Sequence, residues 1–387
     1  MTQQAAGSTQ HLKIGLLAAD LTHKHGWAHV STSVIAALSR AGVECVVLTT
    51  RDSPSLDGVE THAILPPVDP MARGLLASLV RAYPAARRML ADCDAIHALI
   101  EPFAPLGGWI AGARPFYVTG HGSYVRVDQA YSRIARPFYV QAFRRATLIC
   151  VSRYTADAAQ TALPGARTVI VPNGVEMERF AALQRDKADR FARTPTILSV
   201  GAVKRRKGTL ELVEAFARVR PQIPGARLHI VGSLTLEPAY VERVRAAIQQ
   251  HDLGAAVTLA GRISDADLMR AYADADVFAL PSLNDGWKFE GFGLSLLEAS
   301  AAGLPVIGTQ DCGAADAVQD GVTGLLVPQD GLVAHLSDAL MAVLRDAEMA
   351  RRMGAAGRMV AAAQTWDVAA GKLLDVYGVK RSNTEAR

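Results

Sequence analysis

Short continuous apolar runs alternate with helical segments along almost the whole chain, and this alternation limits the fold more than any other feature. Lys13 to Ala19 reads as a buried strand, Ala28 to Ala41 as an amphipathic helix closed by Gly42, and Glu44 to Thr49 as a second strand. Further strands are read at Ala95 to Ile100, Phe116 to Thr119, Leu148 to Val151 and Thr168 to Val171, the last ending in a Pro172-Asn173-Gly174 turn. Strands that are apolar on both faces and separated by helices belong to parallel sheets covered on both sides. Arg185 to Arg193 is charged, lacks a strand pattern and is placed near a linker. The alternation restarts at Thr196 to Val200 and continues through Arg227 to Val231, Val257 to Ala260, Val277 to Leu280, Val306 to Gly308 and Gly324 to Val327. The expectation is an α/β chain of two doubly wound, Rossmann-like domains, residues 11–178 and 179–364, with a ligand in the cleft between the carboxyl ends of their strands. A chain of 387 residues suits two such cores.

Composition excludes several classes. A formal net charge of +4 is not the footprint of a nucleic-acid binder. Cys45, Cys93, Cys150 and Cys312 are widely spaced, form no Cys-x-x-Cys, and read as small buried hydrophobes of a reducing compartment. The opening MTQQAAGSTQ lacks the charged and apolar regions of a secretion signal. No run reaches the roughly 18 apolar residues of a membrane span. A cytoplasmic protein is therefore expected. The segment 71–90 carries Arg73, Arg81, Arg87 and Arg88 beside Leu75, Leu76, Leu79 and Val80, with Pro84 expected to break or kink it. A solvated helix face is the plainer reading; the alternative is peripheral contact with anionic lipid at the inner face of the membrane, and with it a lipid-linked acceptor.

The chemistry concentrates in Asn284 to Pro305, NDGWKFEGFGLSLLEASAAGLP. Glu290 precedes a Gly-Phe-Gly turn, and Glu298 lies eight residues on in an apolar, Ala-rich helical run. A glycine turn feeding a helix start leaves N–H groups unpaired, with the positive end of the helix dipole behind them, which suits a sugar diphosphate. The string resembles the E-x7-E signature of retaining glycosyltransferases of family 4, which have the GT-B fold. Glu290, Gly291, Phe292, Gly293, Leu294, Glu298, Ala299, Gly303, Pro305 and Val306 carry that resemblance. It implies that Gly291 to Leu294 and Glu298 bind the donor, with Glu298 on the ribose and Glu290 on the donor sugar. In the GT-B fold the last helix crosses back to the first domain. Residues 365–379 hold a helical pattern that either does this or packs on the second domain.

Other segments are weighed against the same family. VGAVKRRKG after the strand Thr196 to Val200 is a cationic turn fit for two phosphates. Lys207 matches the family lysine, but the family arginine position is Ala202, and Arg206 is the expected substitute. His121, between Gly120 and Gly122 after a strand, matches a histidine that contacts the donor sugar; Arg126 is a further candidate in the same region. Gly26 and Trp27 stand where relatives carry a Gly-Gly turn, and Trp27 is a candidate for stacking on an acceptor sugar. His23, His25 and His29 lack a carboxylate to complete a metal site. Ser152 reads as a helix cap, while Trp287 and Lys288 form a local insertion at the rim of the donor site. Gly313 and Asp316 match the family's G-G-x-x-E turn only in part.

The function expected is metal-independent, retaining transfer of a hexose from a nucleoside-diphosphate sugar, UDP- or GDP-linked, to a hydroxyl acceptor, with no cofactor beyond that co-substrate. His121, Arg206, Lys207 and Glu290 are the expected catalytic set. The alternatives are a nucleotide-sugar epimerase of this architecture, a non-catalytic sugar-nucleotide binder, and a two-Rossmann dehydrogenase. The dehydrogenase is disfavoured because no G-x-G-x-x-G follows the first strand.

Overall fold

The structure, a computed structural model, describes residues 12–22, 25–68, 74–183 and 194–379. Arg185 to Arg193, His23, Met71, Arg73 and the terminal tails lie outside the described residues.

The first sheet contains β1 (Lys13–Leu17), β2 (Glu44–Thr50), β3 (Glu60–Leu65), β4 (Ala95–Ala98), β5 (Phe116–Gly120), β6 (Thr147–Cys150) and β7 (Arg167–Ile170). Its order is β3-β2-β1-β4-β5-β6-β7, and every pairing is parallel. The second contains β8 (Thr196–Val200), β9 (Arg227–Val231), β10 (Val257–Gly261), β11 (Val277–Ala279), β12 (Val306–Thr309) and β13 (Gly324–Val327). Its order is β10-β9-β8-β11-β12-β13, again all parallel. Each sheet is the core of its own compact unit. Both are doubly wound, as the apolar strands require: strands buried on both faces need helices on both.

One strand escapes the sequence reading. β3 lies at one edge of the sheet and is exposed or half-buried up to Leu65, which is buried, so its sequence ETHAIL needs no continuous apolar run. The basic segment does not break at Pro84, one of the two outcomes expected there. It forms the helix Leu75–Met89, which runs through Pro84 without ending there. The carbonyl that Pro84 leaves without a donor belongs to Val80, whose residue is 55% exposed, so solvent can replace the lost bond.

The helix Trp366–Val376 groups with the first unit and packs on the helix Gly26–Arg40, where Arg40 and Asp367 pair at 2.7 Å. Just beyond it, the Tyr377 hydroxyl shares a 2.7 Å hydrogen bond with Nδ1 of the fully buried His97. Nε2 of His97 shares another with Thr119 Oγ1 at 2.8 Å. Burial pushes the His97 imidazole down to about 3, so the ring is neutral. All four cysteines are free and buried.

Candidate active site

Two loops leave the second sheet at its switch point. β8 and β11 are neighbours, and the strand order runs outward from them in opposite directions. The crevice at the carboxyl ends of such a pair is where open parallel sheets place ligands. After β8 the chain forms a 3-10 turn, Arg205–Lys207. After β11 it passes Ser282 and Glu290 and enters the helix Leu294–Ala301, with Gly293 left-handed at the N-cap. Gly208 lets the loops meet: its φ is +64°, and a Cβ there would stand 1.9 Å from the Pro281 carbonyl oxygen. The Leu283 N–H donates to the Arg206 carbonyl at 2.8 Å, lacing one loop to the other.

Glu290 is the hub. It is buried, and its Oε2 accepts from Arg206 Nη1 at 3.0 Å and from Ser282 Oγ at 2.9 Å. Lys207 Nζ pairs with the same oxygen. Burial alone would push the carboxyl up. The charges of Arg206 and Lys207, with the hydrogen bonds from Lys207 and Ser282, outweigh it and hold Glu290 far below the usual carboxylate range. Burial draws the Lys207 ammonium down against the pull of Glu290. Lys204, at the start of the turn, is pushed down to about 8, first by burial and then by Arg206 and Lys207. Sequence reading has the acidic helix start and the cationic turn converge on a shared diphosphate. In the structure they form one ion cluster.

The helix start is braced from behind. The Gly313 N–H donates to the Glu290 carbonyl at 2.7 Å, and Thr155 Oγ1 donates to the Gly291 carbonyl at 3.2 Å. A Cβ on Gly313 would lie 2.0 Å from that Gly291 oxygen, so only glycine fits. Phe292 is 2% exposed, so its ring anchors the turn in the core. The helix has no side-chain cap, and its first-turn N–H groups keep their anion-binding character. Glu298 Oε2 accepts from the Tyr272 hydroxyl at 3.0 Å, and burial raises its carboxyl. At the rim, Asp285 and Lys288 exchange backbone hydrogen bonds of 2.8 and 3.1 Å, and Lys288 Nζ lies 5.8 Å from the Trp287 ring centre.

The remaining candidates, Ser152 apart, belong to the first unit. The His121 N–H donates to Glu101 Oε1 at 2.7 Å, and its Nε2 donates to the Leu99 carbonyl at 2.6 Å, leaving Nδ1 as the ring's acceptor. Burial pushes the ring down to about 4, so it is neutral. Glu101 is fully buried, which pushes its carboxyl up to about 8. Arg126 pairs with Asp128 at 3.0 Å. Gly26 opens the helix Gly26–Arg40, and the Trp27 ring lies 5.4 Å from that of Tyr124. His25 accepts from the Ala28 N–H at 3.3 Å and pairs with Asp20. Ser152 Oγ accepts from the Thr155 N–H at 3.0 Å, the cap expected of it. Sequence reasoning missed Ser282, Tyr272 and Glu101, and undervalued Gly313. For Gly313 the signal was present in its match to the family turn; for the others no local spacing marks the contact.

Two parallel-sheet, Rossmann-like domains, one with an uncapped helix start at its switch point, form the architecture of GT-B glycosyltransferases. The family description "Glycosyltransferase Family 4" matches residues 26–179, and "Glycosyl transferases group 1" matches residues 181–360. A GDP-mannose-dependent alpha-(1-6)-phosphatidylinositol monomannoside mannosyltransferase of Mycobacterium tuberculosis is 35% identical over 307 residues, 75% of this chain and 77% of that one. Among solved structures, sucrose-phosphate synthase from Thermosynechococcus elongatus aligns with a TM-score of 0.77 at 24% identity, covering 95% of this chain and 98% of that one. Anabaena HepE in complex with UDP and glucose aligns with a TM-score of 0.74 at 20% identity, covering 95% and 100%. The chain belongs to the family 4 glycosyltransferases.

Proposed function

We propose that the chain transfers mannose from GDP-mannose, with retention and without a metal ion, to a hydroxyl of a lipid-borne glycosyl acceptor. The observation that carries the reading is the ion cluster of Glu290, Arg206 and Lys207 beside the uncapped helix start at Leu294. The diphosphate lies against Lys207, Arg206 and the amides of Gly291 to Leu294, which stabilise the charge that grows as the leaving group departs. The bond from the anomeric carbon to the phosphate oxygen breaks, and the bond to the acceptor oxygen forms on the same face. The acceptor's proton passes to the departing phosphate oxygen. Glu298 holds the ribose, and Glu290 and His121 contact the donor sugar; these roles follow from the family resemblance.

The choice of guanine and mannose rests on the mycobacterial relative. The lipid-borne acceptor rests on that relative's name and on the helix Leu75–Met89, where Arg81, Arg87 and Arg88 are exposed together with Val80. Phe138, 38% exposed, extends this apolar surface through the rings of Trp109 and Tyr83, spaced 6.2 and 6.3 Å apart. The contact proposed is peripheral; among the described residues no helix is long and apolar enough to cross a membrane. Trp27 and Arg126 are assigned to the acceptor.

A panel of GDP-, UDP- and ADP-sugars tests the donor. GDP-mannose at a hundredfold its dissociation constant should stabilise the protein by about 2.7 kcal/mol. Incubation with a phosphatidylinositol mannoside should yield an α-linked product by NMR. Preferential stabilisation by UDP-sugars, or a β-linked product, would reject the donor or the retaining course respectively.

A further inference from the structure

Glu298 lies one turn into the helix Leu294–Ala301 and is only half-buried. The far end of that helix is fixed. Arg358 Nη1 donates to the Ala301 carbonyl at 2.7 Å, and Gly354 comes so close that a Cβ there would stand 2.3 Å from the Gly303 carbonyl oxygen. The carboxylate is fixed from the helix Asp265–Asp274, where the Tyr272 hydroxyl donates to Glu298 Oε2 at 3.0 Å. Tyr272 is fully buried. Its ring lies 5.7 Å from that of Phe180, edge to face, and stacks at 6.2 Å on that of Phe278 in β11. A tyrosine wedged in this way cannot follow Glu298 if the glutamate turns, so it sets where the carboxylate stands.

A carboxylate accepts hydrogen bonds at about four sites, so one bond from Tyr272 does not exhaust it. A free glutamate samples many rotamers, and freezing it on binding costs entropy. Tyr272 removes that cost before a ligand arrives. Its hydroxyl also opposes burial, which disfavours the charge on Glu298, and so helps to keep the group an acceptor. We propose that Tyr272 is a positioning residue that holds the Glu298 carboxylate toward the 2′- and 3′-hydroxyls of the donor ribose, and thereby makes the site selective for ribonucleotides. The inference deepens the donor reading above and rests on its assignment of Glu298 to the ribose.

Calorimetry with GDP and with 2′,3′-dideoxy-GDP, which lacks both hydroxyls, separates a role at the ribose from general packing. The wild type should favour GDP, and Glu298→Ala should remove most of that preference. Tyr272→Phe takes away one oxygen and keeps the ring between Phe180 and Phe278. It should weaken GDP binding by about tenfold, as loss of a hydrogen bond to a charged group predicts, and leave dideoxy-GDP binding unchanged. In the Glu298→Ala background the same substitution should change GDP binding by less than about twofold, because the carboxylate it acts through is gone. If Tyr272→Phe weakens both nucleotides alike, or leaves the wild-type preference intact, this inference is overturned and the ribose role of Glu298 stands. A loss that persists undiminished in the Glu298→Ala background overturns it as well. If the wild type binds GDP no better than its dideoxy form, or Glu298→Ala keeps the full preference, the assignment of Glu298 to the ribose fails and the inference fails with it.

Discussion

Replacing Glu290 with alanine should destabilise the free enzyme while leaving its affinity for GDP intact or improved. The reasoning is a charge count. Glu290 is 7% exposed and is bound by Arg206 and Lys207, whose side chains are 17% and 15% exposed. Its loss leaves two largely buried cations without their carboxylate. Breaking a buried pair in this way costs about 3–5 kcal/mol. Both cations retain a little contact with water, which places the loss in the free protein near the lower end, about 3 kcal/mol. GDP restores the missing negative charge. Urea unfolding of Glu290→Ala should therefore show a deficit that shrinks when GDP is saturating, and calorimetry should return a dissociation constant no weaker than that of the wild type. Turnover should still fall by about 100-fold or more, since the carboxylate is lost from the donor sugar and the cations are no longer held in register. Glu290→Gln, which keeps an acceptor for Ser282, should lie between the two in stability. The reasoning fails if Glu290→Ala unfolds within about 0.5 kcal/mol of the wild type and binds GDP about tenfold more weakly. That result would make Glu290 a direct nucleotide ligand and not the counter-ion of the turn.

Gly313→Ala places a methyl 2.0 Å from the Gly291 oxygen, so the loop behind Glu290 must move. A displacement of about 1 Å there should reduce kcat by about 100-fold, measured at saturating donor. His97 has an imidazole pushed down to about 3 in the folded protein, below the unfolded value of 6.5, so the unfolded chain binds the extra proton. The stability it contributes is complete above about pH 6.5 and falls by about 1.4 kcal/mol per pH unit below it. His97→Gln should lower stability at pH 7 and flatten the slope between pH 6 and 4 by one proton, read from urea midpoints. Reversing Arg81, Arg87 and Arg88 to glutamate should release the protein from vesicles of phosphatidylinositol and phosphatidylcholine, at about 1 kcal/mol or more per residue. Unchanged co-sedimentation would remove the membrane from the proposed function.

The parts of this protein legible in its sequence are those that a backbone requirement writes locally. Parallel strands buried on both faces appear as apolar runs, and twelve of the thirteen strands match one. The exception, β3, lies at an edge where one strand flank is open and side chains need not be apolar. The helix continues past Pro84 for a similar reason: the carbonyl that proline leaves unpaired belongs to Val80, which faces outward. The helix start at Leu294 is legible because Gly293 must adopt a left-handed conformation immediately before it. Ion pairs leave no such mark. Glu290 reaches Arg206 and Lys207 across more than 80 positions, through a contact that exists only because Gly208 tucks beneath Pro281. Glu101 holds His121 from the 3-10 turn after β4, 20 positions away. Counting residue types along the turn therefore cannot show which cation is already engaged. Arginine resembles the residue that Ala202 replaced, so Arg206 is the natural choice by type. Type does not record that its guanidinium is already paired with the Glu290 carboxylate.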